Sequence, residues 1–302
     1  MSPARALPEI FRRFDPWEGH VPPGWTANWL GVMTRAGIQG LSSPGGRSAF
    51  APPEPTEDFF EWLSVLESVV ESTGCYTIVE LGAGWGRWLV NAAAAVRQLD
   101  PQRAFLLVGV EAEPTHFAWL RRHLLDNAID PDEHLLIRAA VAARDGRVRF
   151  RVGDPAAWYG QAIEPADPAA KASGPVSRLL RWAHNTADDR RRSRPVKRLR
   201  ALSLETILRP LDLVDLVDAD VQGAEADLFE AAADVLDAKV RRVHVGTHGA
   251  EIEERLRTFF GGLGWECRFD FAGGGERETP WGPVLFEDGA QSWVNPVRRA
   301  PA

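Results

Sequence analysis

The chain has 302 residues, 45% apolar and 25% charged, and a formal net charge of −7. These proportions fit a globular protein with a sizeable core, and the acidic balance argues against a general nucleic-acid binder. No apolar run approaches the roughly 18 residues of a membrane span, the first residues lack the apolar stretch of a secretory signal, and Cys75 and Cys267 form no metal-spaced cluster, so a reduced, cytoplasmic protein is expected.

Residues 1–55 are rich in Pro, Gly and Trp without lasting periodicity, which predicts an irregular N-terminal arm placed to cover a site. Residues 56–302 then form one ligand-binding domain. From Glu57 to Glu71, Phe59, Phe60, Trp62, Leu63, Val65, Leu66, Val69 and Val70 predict a helix with a broad apolar face.

The strongest signal follows. An apolar run, Tyr76–Val79, ends in Glu80, and Gly82, Gly84 and Gly86 stand at every second position before the helix formers Trp88–Val96. Strand, glycine turn and helix suit a nucleotide-type ligand lying across the end of a parallel sheet. Glycine tolerates φ > 0 and leaves the N–H groups of the turn, Gly82-Ala83-Gly84, open to the ligand. The spacing is E-x-G-x-G-x-G rather than the G-x-G-x-x-G of dinucleotide folds. Glu80 would repel a pyrophosphate and pair with a cationic amino group. A zwitterionic amino acid joined to an adenosine, S-adenosylmethionine (SAM), suits that better than NAD.

Phe105–Val110 reads as a second buried strand ending in Glu111, Thr115–Asn127 as a helix, Leu135–Ala140 as a third strand, and Arg147–Val152 as a short antiparallel or edge strand. Residues 153–200 break the rhythm with Pro155, Pro165, Pro168 and Pro175 and a basic cluster, Arg190, Arg191, Arg192, Arg194, Lys197 and Arg198. They predict an insertion that serves as a lid or an interface loop. Ser203–Leu208 is a helical turn, Leu213–Asp220 a fourth strand, Ala224–Leu236 a helix, Val240–Gly246 a fifth strand and Glu251–Gly264 a helix. Cys267–Phe271 and Val284–Glu287 look like a closing antiparallel pair. Strands alternating with helices imply an α/β sheet with parallel centre strands.

Ligands in such sheets bind at the carboxyl ends of the strands. Glu111 stands about 25 residues past the glycine turn, where an acid accepts from both ribose hydroxyls. Ala139, Ala140 and Val141 are small enough to flank an adenine. Asp218, Asp220 and Gln222 follow the fourth strand, and Thr247 and His248 the fifth. Twelve tryptophans, among them Trp17, Trp25, Trp29, Trp62, Trp158, Trp182, Trp281 and Trp293 outside the predicted sheet, offer either packing or a wall of flat faces for a sugar or polyketide ring.

The segment Val214-Asp-Leu-Val-Asp-Ala-Asp-Val-Gln-Gly-Ala-Glu225, with Leu228-Phe-Glu-Ala-Ala behind it, resembles the D-L-I-K-I-D-V-E-G-A-E signature of FkbM-type SAM-dependent methyltransferases. Leu202-Ser-Leu-Glu-Thr-Ile-Leu208 and Arg138-Ala-Ala-Val-Ala-Ala-Arg-Asp-Gly146 extend the likeness to about residues 70–270. The matched positions are Asp215, Asp220, Gly223, Ala224 and Glu225. The resemblance implies a class I methyltransferase (Rossmann-like) fold, a mostly parallel seven-stranded sheet flanked by helices, and methyl transfer to oxygen on a sugar or natural product. Two positions depart: Asp218 stands where the family has Lys, and Gln222 where it has Glu.

For an in-line transfer the protein supplies geometry and, for a hydroxyl acceptor, a base or a Lewis acid. His248 is the candidate base, with Asp220 as its catalytic neighbour. Asp218 either accepts from the SAM amino group or joins Asp220 and His248 around Mg²⁺ or another divalent cation, since strand alternation would put Asp218 and Asp220 on one face. A small-molecule acceptor is the expected partner, and the sequence leaves a homo-oligomer open. Competing functions are a non-catalytic SAM-binding scaffold and an NAD-type oxidoreductase. The glycine spacing and the lack of a Tyr-x-x-x-Lys motif, with Tyr76 and Tyr159 the only tyrosines, disfavour the latter.

Overall fold

In the computed structural model, which describes residues 7–151 and 196–298, the apolar runs after residue 75 become the parallel centre of a seven-stranded sheet. The N-terminal arm has more regular structure than its sequence suggests. It holds β1 (Glu18–Val21), β2 (Trp25–Ala27), β3 (Met33–Arg35) and β4 (Gly46–Ala49), with β1 antiparallel to β4 and β2 to β3. The arm then leads into α1 (Glu57–Glu71).

The next elements are β5 (Tyr76–Leu81), α2 (Arg87–Leu99), β6 (Phe105–Glu111), α3 (Pro114–Asp126), β7 (Leu135–Arg138), β8 (Ala140–Val141), β9 (Gly146–Arg151) and β10 (Val196–Leu202). After them come α4 (Leu204–Leu208), β11 (Leu216–Ala219), α5 (Glu225–Glu230), α6 (Ala233–Lys239), β12 (Arg242–Thr247), α7 (Ala250–Gly262), β13 (Glu266–Phe271), β14 (Gly275–Thr279), β15 (Gly282–Phe286) and β16 (Gly289–Val294). The main sheet has the order β13-β16-β12-β11-β5-β6-β7. Neighbours from β12 to β7 are parallel, and β16 is antiparallel to both β12 and β13. A side sheet of order β8-β10-β9 lies beside it. The insertion expected over 153–200, with Trp158, Trp182 and most of the basic cluster, lies outside the described residues except for the start of β10.

Apolar side chains on opposite faces of the strands feed two cores, as strand alternation requires. Ile78 and Leu216 face Phe59, Phe60, Leu66 and Leu89 of α1 and α2, together with Trp29 and Phe11 from the arm. Val79, Leu81, Val217 and Val245 face Leu228, Phe229 and Phe260 of α5 and α7. Most tryptophans pack. Trp29 meets Trp62 edge-on at 5.4 Å, Trp62 meets Trp88 at 5.2 Å, and Trp293 stacks on Phe260 at 5.4 Å.

Three expectations change. The third strand stops at Arg138, and Ala140–Val141 crosses to pair with Ala201–Leu202. The helix expected over Ala224–Leu236 breaks between α5 and α6. The closing pair is β13 with β16, whereas Gly282–Phe286 forms a separate hairpin with β14. Trp293 therefore belongs to the sheet. Gly289–Val294 escapes a pattern search because it is buried on both faces yet rich in polar residues. Its Gln291 Nε2 donates to the Glu253 carbonyl at 3.1 Å, and its Ser292 Oγ accepts from Ser64 Oγ at 3.2 Å. Among the described residues no helix is long and apolar enough to cross a membrane.

Candidate functional site

The turn after β5 is shaped by its glycines for different reasons. Gly82 (φ +79°) passes so close to β11 that a Cβ would collide with the carbonyl oxygen of Asp220. Gly84 (φ +53°) turns its N–H to Glu111 Oε2, 2.8 Å away. At Gly86 (φ +73°), the N-cap of α2, a Cβ would strike Leu120 of α3. Gly86 thus serves helix packing, as Ala83, whose N–H donates to the Val110 carbonyl at 3.0 Å, serves the sheet edge.

A cavity of about 390 Å³ opens over this turn. Of the expected cofactor residues, Gly82, Gly84, Glu111 and Ala140 line it, and Asp220 closes one side; Glu80, Ala83, Gly86 and Asp218 are not in its wall. Gln39, Trp85, Arg87, His116, Phe150 and Gln222 are also in its wall. Trp85 carried a signal, since it occupies a variable place inside the glycine motif. Gln39 carried none, because only the folded arm brings it there.

Glu80 corrects an expectation. It does not face the cavity; its oxygens accept from the N–H groups of Trp88 (3.4 Å) and Leu89 (3.1 Å), the unpaired first-turn donors of α2. Burial outweighs those hydrogen bonds and pushes its pKa up to about 8. Glu111 closes β6 and lines the cavity. Burial raises it to about 7, against the hydrogen bonds from Glu113 N (2.6 Å) and Gly84 N. Each of its oxygens holds one N–H and keeps a lone pair for a ligand hydroxyl.

His248 sits in a polar knot. Its Nδ1 lies 2.7 Å from Glu225 Oε1, and its Nε2 lies 2.9 Å from Gln222 Nε2, 3.5 Å from Asp220 Oδ1 and 3.7 Å from Asp288 Oδ2. Burial alone would lower the imidazole. The hydrogen bond and charge of Glu225, with Asp220 and Asp288, prevail and raise it to about 9. Gln222 reaches this knot through a left-handed backbone (φ +57°), uncommon outside glycine, and donates to Asp220 at 2.9 Å. Glu225, one of the matched signature positions, is the imidazole's main partner, and its other oxygen, Oε2, has no hydrogen-bond partner.

The expected metal trio is not assembled. Asp220, Glu225 and His248 present ligand atoms within 4.8 Å of one another, and Asp218 joins Glu61 and His244 instead. The face argument fails because β11 ends at Ala219, so alternation does not extend to Asp220.

A second cavity, of about 260 Å³, adjoins the first and shares Gln39, Trp85 and Arg87 with it. Trp29, Phe50 and Trp62 supply its flat faces, and Asn28 and Asn91 its amides.

The strand order, with the reversed strand second from one edge, a glycine turn after β5 and an acid closing β6, defines the class I methyltransferase, Rossmann-like fold. No protein-family model matches the chain. It is similar to a protein of Jannaschia sp. (strain CCS1) described as "Putative methyltransferase", 29% identical over an alignment of 271 positions that covers 86% of this chain and 88% of the other. Solved structures that resemble it include methyltransferase FkbM from Methylobacillus flagellatus KT (10% identity, 74% of this chain and 45% of that one, TM-score 0.41). Another is an O-methyltransferase from Bacillus cereus in complex with SAH (12%, 80% and 84%, TM-score 0.38). Structural likeness of that depth says nothing of substrate.

Proposed function

We propose that this chain is a SAM-dependent methyltransferase that methylates a hydroxyl of a sugar or natural-product acceptor, with His248 as base. One observation carries it: a single cavity at the strand ends joins Gly82, Gly84 and Glu111 to Asp220 and Gln222. The similarity to a methyltransferase over most of the chain supports it.

The residues fit the cofactor. The cavity has the size of a small-molecule site, its glycine floor has no Cβ to fill it, Glu111 keeps acceptor capacity for ribose hydroxyls, and Ala139, Ala140 and Val141 leave room for a flat ring. SAM, when bound, supplies an electrophilic methyl on a sulfonium, so the protein contributes orientation and proton removal. The neighbouring aromatic and amide-lined cavity fits a hydroxylated ring, whose apolar face stacks while its hydroxyls meet amides. His248 takes the acceptor's proton only as a neutral ring, so the carboxylates that raise it set the pH at which it works. Asp220 holds Gln222 against that ring and shares its charge. A metal-assisted form of the reaction would draw on Asp220, Glu225 and His248 rather than the expected trio, because Asp218 lies with Glu61 and His244.

The test is SAH release from purified protein incubated with SAM and a panel of sugars, glycosides and hydroxylated polyketides, beside calorimetry with SAM and with NAD. Turnover that vanishes in His248→Ala and Asp220→Asn is expected. Binding of SAM without turnover of any acceptor would favour the scaffold, and binding of NAD alone the oxidoreductase.

A further inference from the structure

Beneath the strand ends, on the face covered by α1, lies a second group of chemically active side chains. Glu61 of α1, Asp218 of β11 and His244 of β12 each offer a ligand atom, all within 4.8 Å of one another. Asp218 is 4% and His244 2% exposed, and Glu61 is half-buried.

The hydrogen bonds settle how these groups are presented. Ser64 Oγ donates to Ser292 Oγ (3.2 Å), so its contact with His244 Nδ1 (3.1 Å) has the imidazole N–H as donor. Nε2 is left as a lone pair, and burial, with Arg242 nearby, holds the ring neutral with its pKa at about 3. Neither Asp218 nor Glu61 has a side-chain hydrogen bond among the described residues. Arg87, whose charge reaches Asp218 and Glu61, is turned to Asp58 at 2.5 Å and bonds to none of the three. A nearly fully buried carboxylate without a partner is costly. Burial, Glu80 and Asp220 raise Asp218 well above the ordinary range, and burial, Asp218 and Asp58 do the same to Glu61. The group as it stands lacks a positive centre.

We propose that Glu61, Asp218 and His244 form a site for a first-row divalent cation of the manganese or zinc type, separate from the knot at His248. Two carboxylates and one neutral imidazole with an N–H···Oγ bond behind it are the donor set such ions take. Magnesium and calcium, which prefer all-oxygen shells, are the poorer match. Three protein ligands leave at least one position for water or another oxygen. The ion would also bind α1 to β11 and β12. The site stands or falls independently of methyl transfer.

The test uses tag-free full-length protein, stripped by chelator and dialysed. Mn²⁺ binding is followed by the resonance of the free ion, Zn²⁺ binding by calorimetry, and both by the thermal midpoint. One saturable site that raises the midpoint is expected, lost in Asp218→Asn and in Glu61→Gln and retained in Glu225→Gln. Each of the first two variants replaces a carboxyl that has no side-chain hydrogen-bond partner with an amide of the same shape, so its metal-free midpoint should equal or exceed wild type, which controls for folding. Absence of saturable binding to wild type overturns the proposal. So does binding that survives both Asp218→Asn and Glu61→Gln, or binding lost only in Glu225→Gln, which would place the ion at His248.

Discussion

Replacing Glu225 by Gln keeps the shape of its contact with His248 and removes its charge. In the wild type the Glu225 bond, with the charges of Asp220 and Asp288, reverses the effect of burial and carries the imidazole from 6.5 to about 9. A rise of that size favours imidazolium over imidazole by roughly 3 kcal/mol. With Glu225 neutral, burial regains control and His248 should titrate near or below 6.5. An NMR titration of the His248 ring proton reads this directly. If His248 is the base, wild-type kcat/KM climbs toward pH 9, and the climb moves down by about 2.5 units or more in the variant. The variant will also be less stable, by about 1–3 kcal/mol, because its amide enters a buried spot where Oε2 has no partner. Measurements therefore belong well below its unfolding temperature. An unchanged His248 titration in Glu225→Gln would refute the account of the knot. A wild-type profile already flat at pH 7 would refute His248 as the base.

Three further outcomes are expected. Gly86→Ala places a Cβ against Leu120 at φ +73° and should cost about 2–4 kcal/mol in urea unfolding, from positive φ and overpacking together. Glu111→Ala should weaken SAH binding by roughly 10- to 100-fold in calorimetry, the loss of charge-assisted hydrogen bonds, while Glu80→Gln, whose side chain faces α2, should leave it nearly unchanged. Stability should fall by roughly a few kcal/mol between pH 6.5 and 9. Glu80, Glu111 and His248 have folded pKa values raised to about 8, 7 and 9, so the stability they contribute at lower pH is lost as pH rises through those values. His123 and His244, lowered by burial to about 4 and 3, act in the opposite window, destabilising the fold as pH drops below 6.5. Urea midpoints that rise from pH 6.5 to 9 would contradict this.

The parallel strands and their ligand-facing ends could be read from the chain because each is a short apolar run closed by a polar or small residue, and the glycine turn fixes which end matters. Glu111 was legible as the acid that ends the second strand, which puts it in the cavity wall. Glu80 was misplaced because a sequence shows that an acid ends the strand but not which way its side chain turns; the empty N–H groups of α2 decided that. Asp218 and Asp220 were put on one face by a rule that holds only inside a strand, and the strand stops between them. Gln39 and the aromatic cavity depend on how the arm folds back, through Asn28 to Asn91 (2.7 Å) and Met33 to Asn127 (2.9 Å). Contacts between distant segments leave no local period. Glu225 was legible as a matched signature position, but nothing local in the sequence tied it to His248, which comes from a different strand end.

The position of β16 sets the order in which the sheet can be completed. Among the described residues β13 is held within the sheet only by β16, and β16 is made after both strands it joins. During synthesis β12 and β13 therefore wait with open edges, the condition that favours pairing with another chain. A nonsense mutation before Gly289 would thus remove two strands rather than one, uncover Phe260 where Trp293 stacks on it, and leave an aggregation-prone fragment although the residues lining the cavity over the glycine turn are encoded in full.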